Sequence, residues 1–128
     1  MASRVLPDTC AWIDFFLGKP TRQADLVEAA IVQGAVVTCG VVLYELLQGI
    51  KSTREERSVL HALQGIPYIE MSSSLWIKAG QLSARLRGNG QTLPMSDVAI
   101  ATLAQEHDCS LVTVDRHFCG IPGIRILS

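Results

Sequence analysis

The sequence predicts an α/β fold: a three-layer sandwich with a mostly parallel central sheet of about five strands flanked by helices. Two observations carry this expectation. Short apolar, often β-branched runs alternate with longer segments of helical period along the whole chain. Such alternation builds parallel sheets covered on both faces. Hydrophobic residues make up 48% of the 128 residues, enough for one buried sheet and one core. A single domain over residues 1–128 is therefore expected, with no linker, internal repeat or low-complexity segment inside it.

The first strand is Arg4-Val5-Leu6-Pro7, stopped by Pro7, and it delivers Asp8 at its carboxyl end. Thr9 is placed to cap a helix from Cys10 to Leu17, which Gly18 and Pro20 end. Ala24 to Gln33 reads as an amphipathic helix closed by Gly34, and Ala35–Thr38 as a short buried strand. Val41 to Gln48 is a helix apolar nearly all round, and Arg54 to Leu63 a charged surface helix. Pro67–Glu70 is the third strand, with Pro67 where a missing N–H does least harm. The Ser72-Ser73-Ser74 run caps a long helix from Leu75 to about Arg87. Ser96 is expected as the N-cap of a helix running to His107, with Asp97 in its first turn, where the helix dipole favours negative charge. Ser110–Val114 is the fourth strand, Gly120–Gly123 a turn and Ile124–Leu127 the last strand. Right-handed crossovers put all strand carboxyl ends on one side, where open α/β sheets hold their ligands.

Composition narrows the function. Charged residues are 18% and the net charge is -1, so the chain has no global attraction for nucleic acid. Binding to phosphate must come from a local patch or a metal. The four cysteines form no CxxC pair and have no His at zinc-finger spacing; they read as reduced, mostly buried residues of a cytoplasmic protein. Asp8 and Asp14 interrupt the N-terminal apolar stretch, which argues against a signal peptide, and no run approaches the roughly 20 residues that span a bilayer. No membrane role is expected.

Four acids, Asp8, Glu45, Asp97 and Asp115, are candidates to converge at the carboxyl rim of the sheet. Asp8 and Asp115 leave strands there, and Asp97 opens a helix. Each alone suits an ordinary cap or turn. Glu45 lies among apolar neighbours, and its stripe with Val41, Gln48 and Gly49 faces either solvent or a polar pocket. Two carboxylates about 4 Å apart repel by roughly 4 kcal/mol at an effective dielectric near 20. A convergent set of four calls for a cation, and all-oxygen ligation suits Mg²⁺ or Mn²⁺.

Asp8-Thr9 followed by Trp12-Ile13-Asp14, Glu45-Leu46-Leu47-Gln48-Gly49, Leu93-Pro94-Met95-Ser96-Asp97-Val98-Ala99-Ile100-Ala101 and Leu111-Val112-Thr113-Val114-Asp115-Arg116-His117-Phe118 resemble the successive motifs of PIN domains. Within that superfamily they are most similar to VapC-type toxins of toxin–antitoxin pairs. The resemblance spans Val5 to Leu127. It implies a metal-dependent endoribonuclease that hydrolyses phosphodiester bonds in single-stranded regions of structured RNA. It puts Asp8, Glu45, Asp97 and Asp115 at the catalytic, metal-holding acidic positions, with Thr9 and Thr113 as the hydroxyls beside them. It also implies Mg²⁺ or Mn²⁺ as cofactor, a small cognate antitoxin laid over the crevice, and a homodimer, expected here to use helical faces away from the crevice. The chain departs from the pattern at Cys10, where Ser is common, and at His117, in a stretch often more acidic. Cys10 reads as an inert thiol and His117 as a loop histidine.

Arg54, Arg85, Arg87 and Arg116 are the candidates for RNA contact, and Trp12 and Phe118 read as core. Two other readings stand beside the nuclease. A receiver-like signalling domain needs an acceptor Asp ending a central strand and a Lys ending a late one; Ala35–Thr38 ends without Asp, and none of Lys19, Lys51 and Lys78 follows a late strand. A PIN-fold interaction module without catalysis would not need the four acids. Asp8-Thr9-Cys10 excludes a DxD phosphatase, and there is no Gly-rich phosphate loop.

Overall fold

The sheet is built outward from Val5. A computed structural model describes residues 3–128. Strand β1 (Val5–Pro7) pairs in parallel with β4 (Ser110–Val112), which pairs in parallel with β5 (Arg125–Leu127). On the other flank, β2 (Thr38–Cys39) pairs in parallel with β3 (Tyr68–Ile69). A single bridge from Val5 to Val36 joins the two ladders, with Val5 N donating to Ala35 O at 2.9 Å and Val37 N to Val5 O at 2.8 Å. The expected five parallel strands are present, in spatial order β3-β2-β1-β4-β5.

Several boundaries differ from the sequence expectation. The second strand was expected over Ala35–Thr38, but its regular ladder covers only Thr38–Cys39. The segment changes partner midway: residues 35–37 bond to Val5, and Thr38 N turns to Pro67 O at 2.9 Å. The fourth strand stops at Val112 rather than Val114, which frees Thr113 and Val114 from the ladder. A 3-10 turn over Arg116–Gly120, η1, follows where the sequence showed no element before Gly120.

Among the described residues, six α-helices cover the sheet: α1 (Thr9–Phe16), α2 (Arg22–Val32), α3 (Gly40–Gln48), α4 (Thr53–Leu63), α5 (Ser73–Gly88) and α6 (Met95–Glu106). α1 packs on α2 and α3, and α5 on α6. The caps explain their starts. Thr21, Ser52 and Ser72 each accept a backbone N–H from the first turn of α2, α4 and α5. At α1 the cap is Asp8, not Thr9: Asp8 Oδ1 accepts Cys10 N at 3.1 Å and Ala11 N at 3.3 Å, and Thr9 is the first helical residue. At α6 the cap position is Pro94, not Ser96, because the helix begins two residues earlier, at Met95; Asp97 remains in the first turn. α1 and α2 are followed by Gly18 and Gly34 at φ +67° and +69°, left-handed conformations that glycine adopts without strain.

The core runs along the sheet and through α6, where every residue from Val98 to Ala104 is buried. Ala99, Ala101 and Ala104 let that helix lie close to its neighbours. Trp12 is buried against Phe16, ring centroids 5.6 Å apart, and Phe118, within η1, is buried. No helix among the described residues is long and apolar enough to cross a membrane. Leu111, fully buried at the middle of β4 between Leu6 and Ile126, is the test of this core. Leu111→Ala is expected to lower stability by about 2–5 kcal/mol, read from the urea unfolding midpoint. A loss well under about 1 kcal/mol would contradict the central place of β4.

Candidate active site

The chain leaves β1 for β2 on one side and returns to β4 on the other, so the strand order reverses between β1 and β4. At such a switch point the loops diverge and open a crevice outside the strand ends. Asp8 leaves β1 at this crevice, and Thr113 and Asp115 leave β4 there.

Asp8 is buried, 7% exposed, and its carboxylate accepts four hydrogen bonds. Oδ1 accepts the two backbone N–H groups of the α1 cap and the thiol of Cys10, and Oδ2 accepts the hydroxyl of Thr113. Thr113 Oγ1 in turn accepts Asp115 N at 3.0 Å. Asp115 Oδ1 accepts His117 N at 2.9 Å and so caps η1. The His117 ring then closes the chain of contacts: Nδ1 lies 3.2 Å from Asp115 Oδ1 and 3.2 Å from Asp97 Oδ2. On the other side of Asp8, Thr9 donates its hydroxyl to Glu45 Oε1 at 2.6 Å.

All four acids therefore border one region, but not equally. Asp97 and Asp115 draw together, with donor atoms of Asp97, Asp115 and His117 all within 4.8 Å of one another. Burial raises the carboxyl pKa of Asp97, the negative charges of Asp115 and Glu45 raise it further, and His117 opposes them. Asp8 connects through Thr113, and Glu45 through Thr9. Glu45, for which sequence left solvent and pocket both open, is half-buried and lines a cleft. The chemistry of the set fits a small divalent cation: carboxylate oxygens from separate elements, one imidazole, and converging negative charge with few cations near it.

His117 is the residue that sequence reading missed. Its spacing of two from Asp115 was a usable signal, but the loop that carries it folds into η1, which no periodicity announced. Burial, with Asp8 adding to it, pushes the Cys10 thiol up to about 11, so it is neutral and unreactive at ordinary pH, in line with the inert reading. Among the described residues, Arg54, Arg85, Arg87 and Arg116 are exposed and make no ion pair. Arg116 stands on the rim between Asp115 and His117; Arg54 lies on α4, and Arg85 and Arg87 in the last turn of α5.

Two apolar clefts meet at Glu45. One, of about 660 Å³, is lined by Tyr44, Tyr68, Trp76, Met95 and Ser96. The other, of about 340 Å³, is lined by Ile13, Phe16, Leu17, Leu46 and Val59. The apolar faces of α3 and α5 thus adjoin the acidic region instead of lying away from it.

Solved structures share this arrangement of elements. VapBC2 from Rickettsia felis bound to a promoter DNA fragment matches with a TM-score of 0.81 at 22% identity over 96% of each chain. DNA-bound VapBC from Salmonella typhimurium matches with a TM-score of 0.79 at 23% identity over 98% of each chain. A toxin–antitoxin complex from Klebsiella pneumoniae matches with a TM-score of 0.71 at 27% identity over 94% of each chain. No curated protein sequence matches significantly. Residues 5–124 match the model of the PIN domain, which bears out the likeness carried by the four acidic motifs: the chain belongs to the PIN domain family.

Proposed function

We propose that this chain is a VapC-type toxin of a type II toxin–antitoxin system: one cytoplasmic nuclease domain that hydrolyses phosphodiester bonds in single-stranded regions of structured RNA with Mg²⁺ or Mn²⁺. The observation that carries this reading is the close group of Asp97, Asp115 and His117 beside the β1/β4 switch point, with Asp8 tied to it through Thr113 and Glu45 held by Thr9. Its likeness to solved toxin–antitoxin complexes adds support.

Asp8, Asp97, Asp115 and Glu45 are the residues that would hold the cation. When bound, it supplies charge neutralisation for the approaching phosphate, polarisation of a phosphoryl oxygen and a lowered pKa for water. The protein's share is placement. Thr113 orients the Asp8 carboxylate and Thr9 that of Glu45, so that neither needs to reorganise when substrate arrives. Asp97, whose proton affinity is raised, is the carboxylate best suited to accept a proton from the attacking water. Arg116 is placed to meet a phosphate beside the acids, with Arg54, Arg85 and Arg87 as more distant contacts for the RNA backbone.

A raised carboxyl pKa means that the folded state holds the proton more tightly than the unfolded chain. Ionised Asp97 therefore costs stability at neutral pH, and that cost fades as pH falls through its raised pKa. Asp97→Asn removes the charge at nearly constant shape. The metal-free variant is expected to melt at the same or a higher temperature than wild type at pH 7, while Mn²⁺-dependent RNA cleavage falls by about 100-fold or more. Added Mn²⁺ should raise the wild-type melting temperature and raise that of the variant less. Undiminished cleavage by Asp97→Asn would refute the site. A metal-dependent melting shift without any cleavage would favour the non-catalytic interaction module.

The partner reading follows from the same surface. An acidic site bordered by apolar clefts suits a small antitoxin whose tail fills a cleft and offers an Arg to the carboxylates. Purification of the native complex should recover such a companion. Recovery of the chain alone from cells that tolerate it would count against the toxin.

Exposed apolar side chains support a homodimer. Tyr44 on α3 is 69% exposed and Ile77 on α5 63%, near half-exposed Trp76 and Tyr68. A patch of this kind on helices is a candidate two-fold interface. Light scattering is expected to give about twice the 13.9 kDa chain mass, and Tyr44→Arg to shift it to the single-chain value. A wild-type mass of one chain at micromolar concentration would rule the dimer out.

A further inference from the structure

We propose that His117 is a nitrogen ligand of the cation site, and that it biases the site toward Mn²⁺ over Mg²⁺; this rests on the metal-dependent reading above. The four acids of the motif account for an all-oxygen site. His117 lies outside that set, yet its Nδ1 occupies the gap between two of the acids, 3.2 Å from Asp97 Oδ2 and 3.2 Å from Asp115 Oδ1. In an octahedral shell with ligands at about 2.1 Å, adjacent donors lie about 3.0 Å apart. The spacing is thus already close to that of donors sharing one ion.

Two features hold the ring there without burying it. Phe118, its neighbour, is 1% exposed and anchors η1 in the core. The His117 N–H is fixed by Asp115 Oδ1 at 2.9 Å. The side chain itself stays 54% exposed, so the ring is aimed at the acids by backbone placement and charge, with little packing around it. An exposed ligand on an open rim leaves coordination positions for water and for a phosphate oxygen.

The consequence is selectivity. Mg²⁺ prefers oxygen donors and keeps its water shell, so an added imidazole gains it little. Mn²⁺ accepts imidazole nitrogen more readily and, in general, the affinity of mixed nitrogen and oxygen sites rises from Mn²⁺ toward the later transition metals. A site made of carboxylates alone lacks this preference.

The test uses the untagged full chain with MnCl₂ or MgCl₂ alone, without RNA. Pulsed electron paramagnetic resonance of the Mn²⁺ complex reads directly bound nitrogen, and calorimetric titration reads affinity for each ion. The expected result is a ¹⁴N modulation in the wild type that His117→Ala abolishes. The same substitution should weaken Mn²⁺ binding by about 10-fold or more and Mg²⁺ binding by less than about threefold. His117→Gln, which keeps a polar side chain on the rim, is expected to behave as His117→Ala does and serves if the alanine variant fails to fold. Mn²⁺ bound to wild type without nitrogen modulation would overturn the inference while leaving the metal site intact. Equal loss of both ions in a folded variant would also overturn it, leaving His117 as a residue that merely positions Asp97 and Asp115. Failure of wild type to bind either ion would overturn the metal-dependent reading itself, and this inference with it.

Discussion

Burial of the Asp8 carboxylate constrains everything around it. A carboxylate taken out of water must be met by hydrogen-bond donors, because an unpaired buried charge costs far more than a typical domain can spare. Here the donors come from two elements that sequence separates by about a hundred residues. The first turn of α1 supplies two backbone N–H groups, and Thr113 supplies a hydroxyl. That requirement ties the start of α1 to the end of β4 and explains why β4 stops at Val112: had the ladder continued, Thr113 would be pinned to a strand register in place of turning to Asp8. The carboxylate serves structure and site at once, as helix cap and as the inner wall of the crevice.

Beyond Asp8, the contacts run outward as a relay that grows more exposed as far as the His117 ring and ends on the less exposed Asp97. Thr113 holds Asp115 by its backbone, Asp115 caps η1, and η1 presents His117 to Asp97 at the start of α6. Asp8 forms the buried inner end and the His117 ring the exposed outer rim. The inner carboxylate is fixed by packing. The outer pair can adjust to what it holds, because only the 3-10 turn carries one of its members. Glu45 enters from α3, so β1, β4, α3 and α6 all contribute, and none of them can shift without disturbing the others.

Much of this was legible in the sequence, for identifiable reasons. The five strands and six helices follow from alternation of period and from caps and glycines that act locally. Asp8, Asp97 and Asp115 could be placed on one rim because a parallel sheet with right-handed crossovers leaves little freedom in where strand ends and helix starts face. What failed was phase. Asp8 and Thr9 are both good caps, and only the backbone decides which of two neighbours takes the role; the same ambiguity moved the start of α6 from Ser96 to Pro94. The split of the second strand was hidden because its pairing depends on two different partners, Val5 and Tyr68, both distant in sequence. Glu45 was undecidable from its apolar stripe, since the partner that draws it inward is Thr9, on another helix.

The site also shows why convergence of like charge is compatible with a stable fold. Asp97 bears a cost, chiefly of burial with the charges of Asp115 and Glu45 adding to it, at the edge of α6, whose remaining length is a closely packed apolar helix with every residue from Val98 to Ala104 buried. An apolar helix of that kind can carry a strained first turn because its position is fixed by packing, not by its cap; indeed Pro94 supplies no side-chain hydrogen bond there. His117 offsets part of the repulsion through its contacts with both outer acids. A raised proton affinity at one carboxylate, beside one partly compensating ring, marks a rim that a cation or a cationic side chain would balance further. In this way the packing of the core and the electrostatics of the rim are two halves of one arrangement: the first supplies the stability that the second consumes.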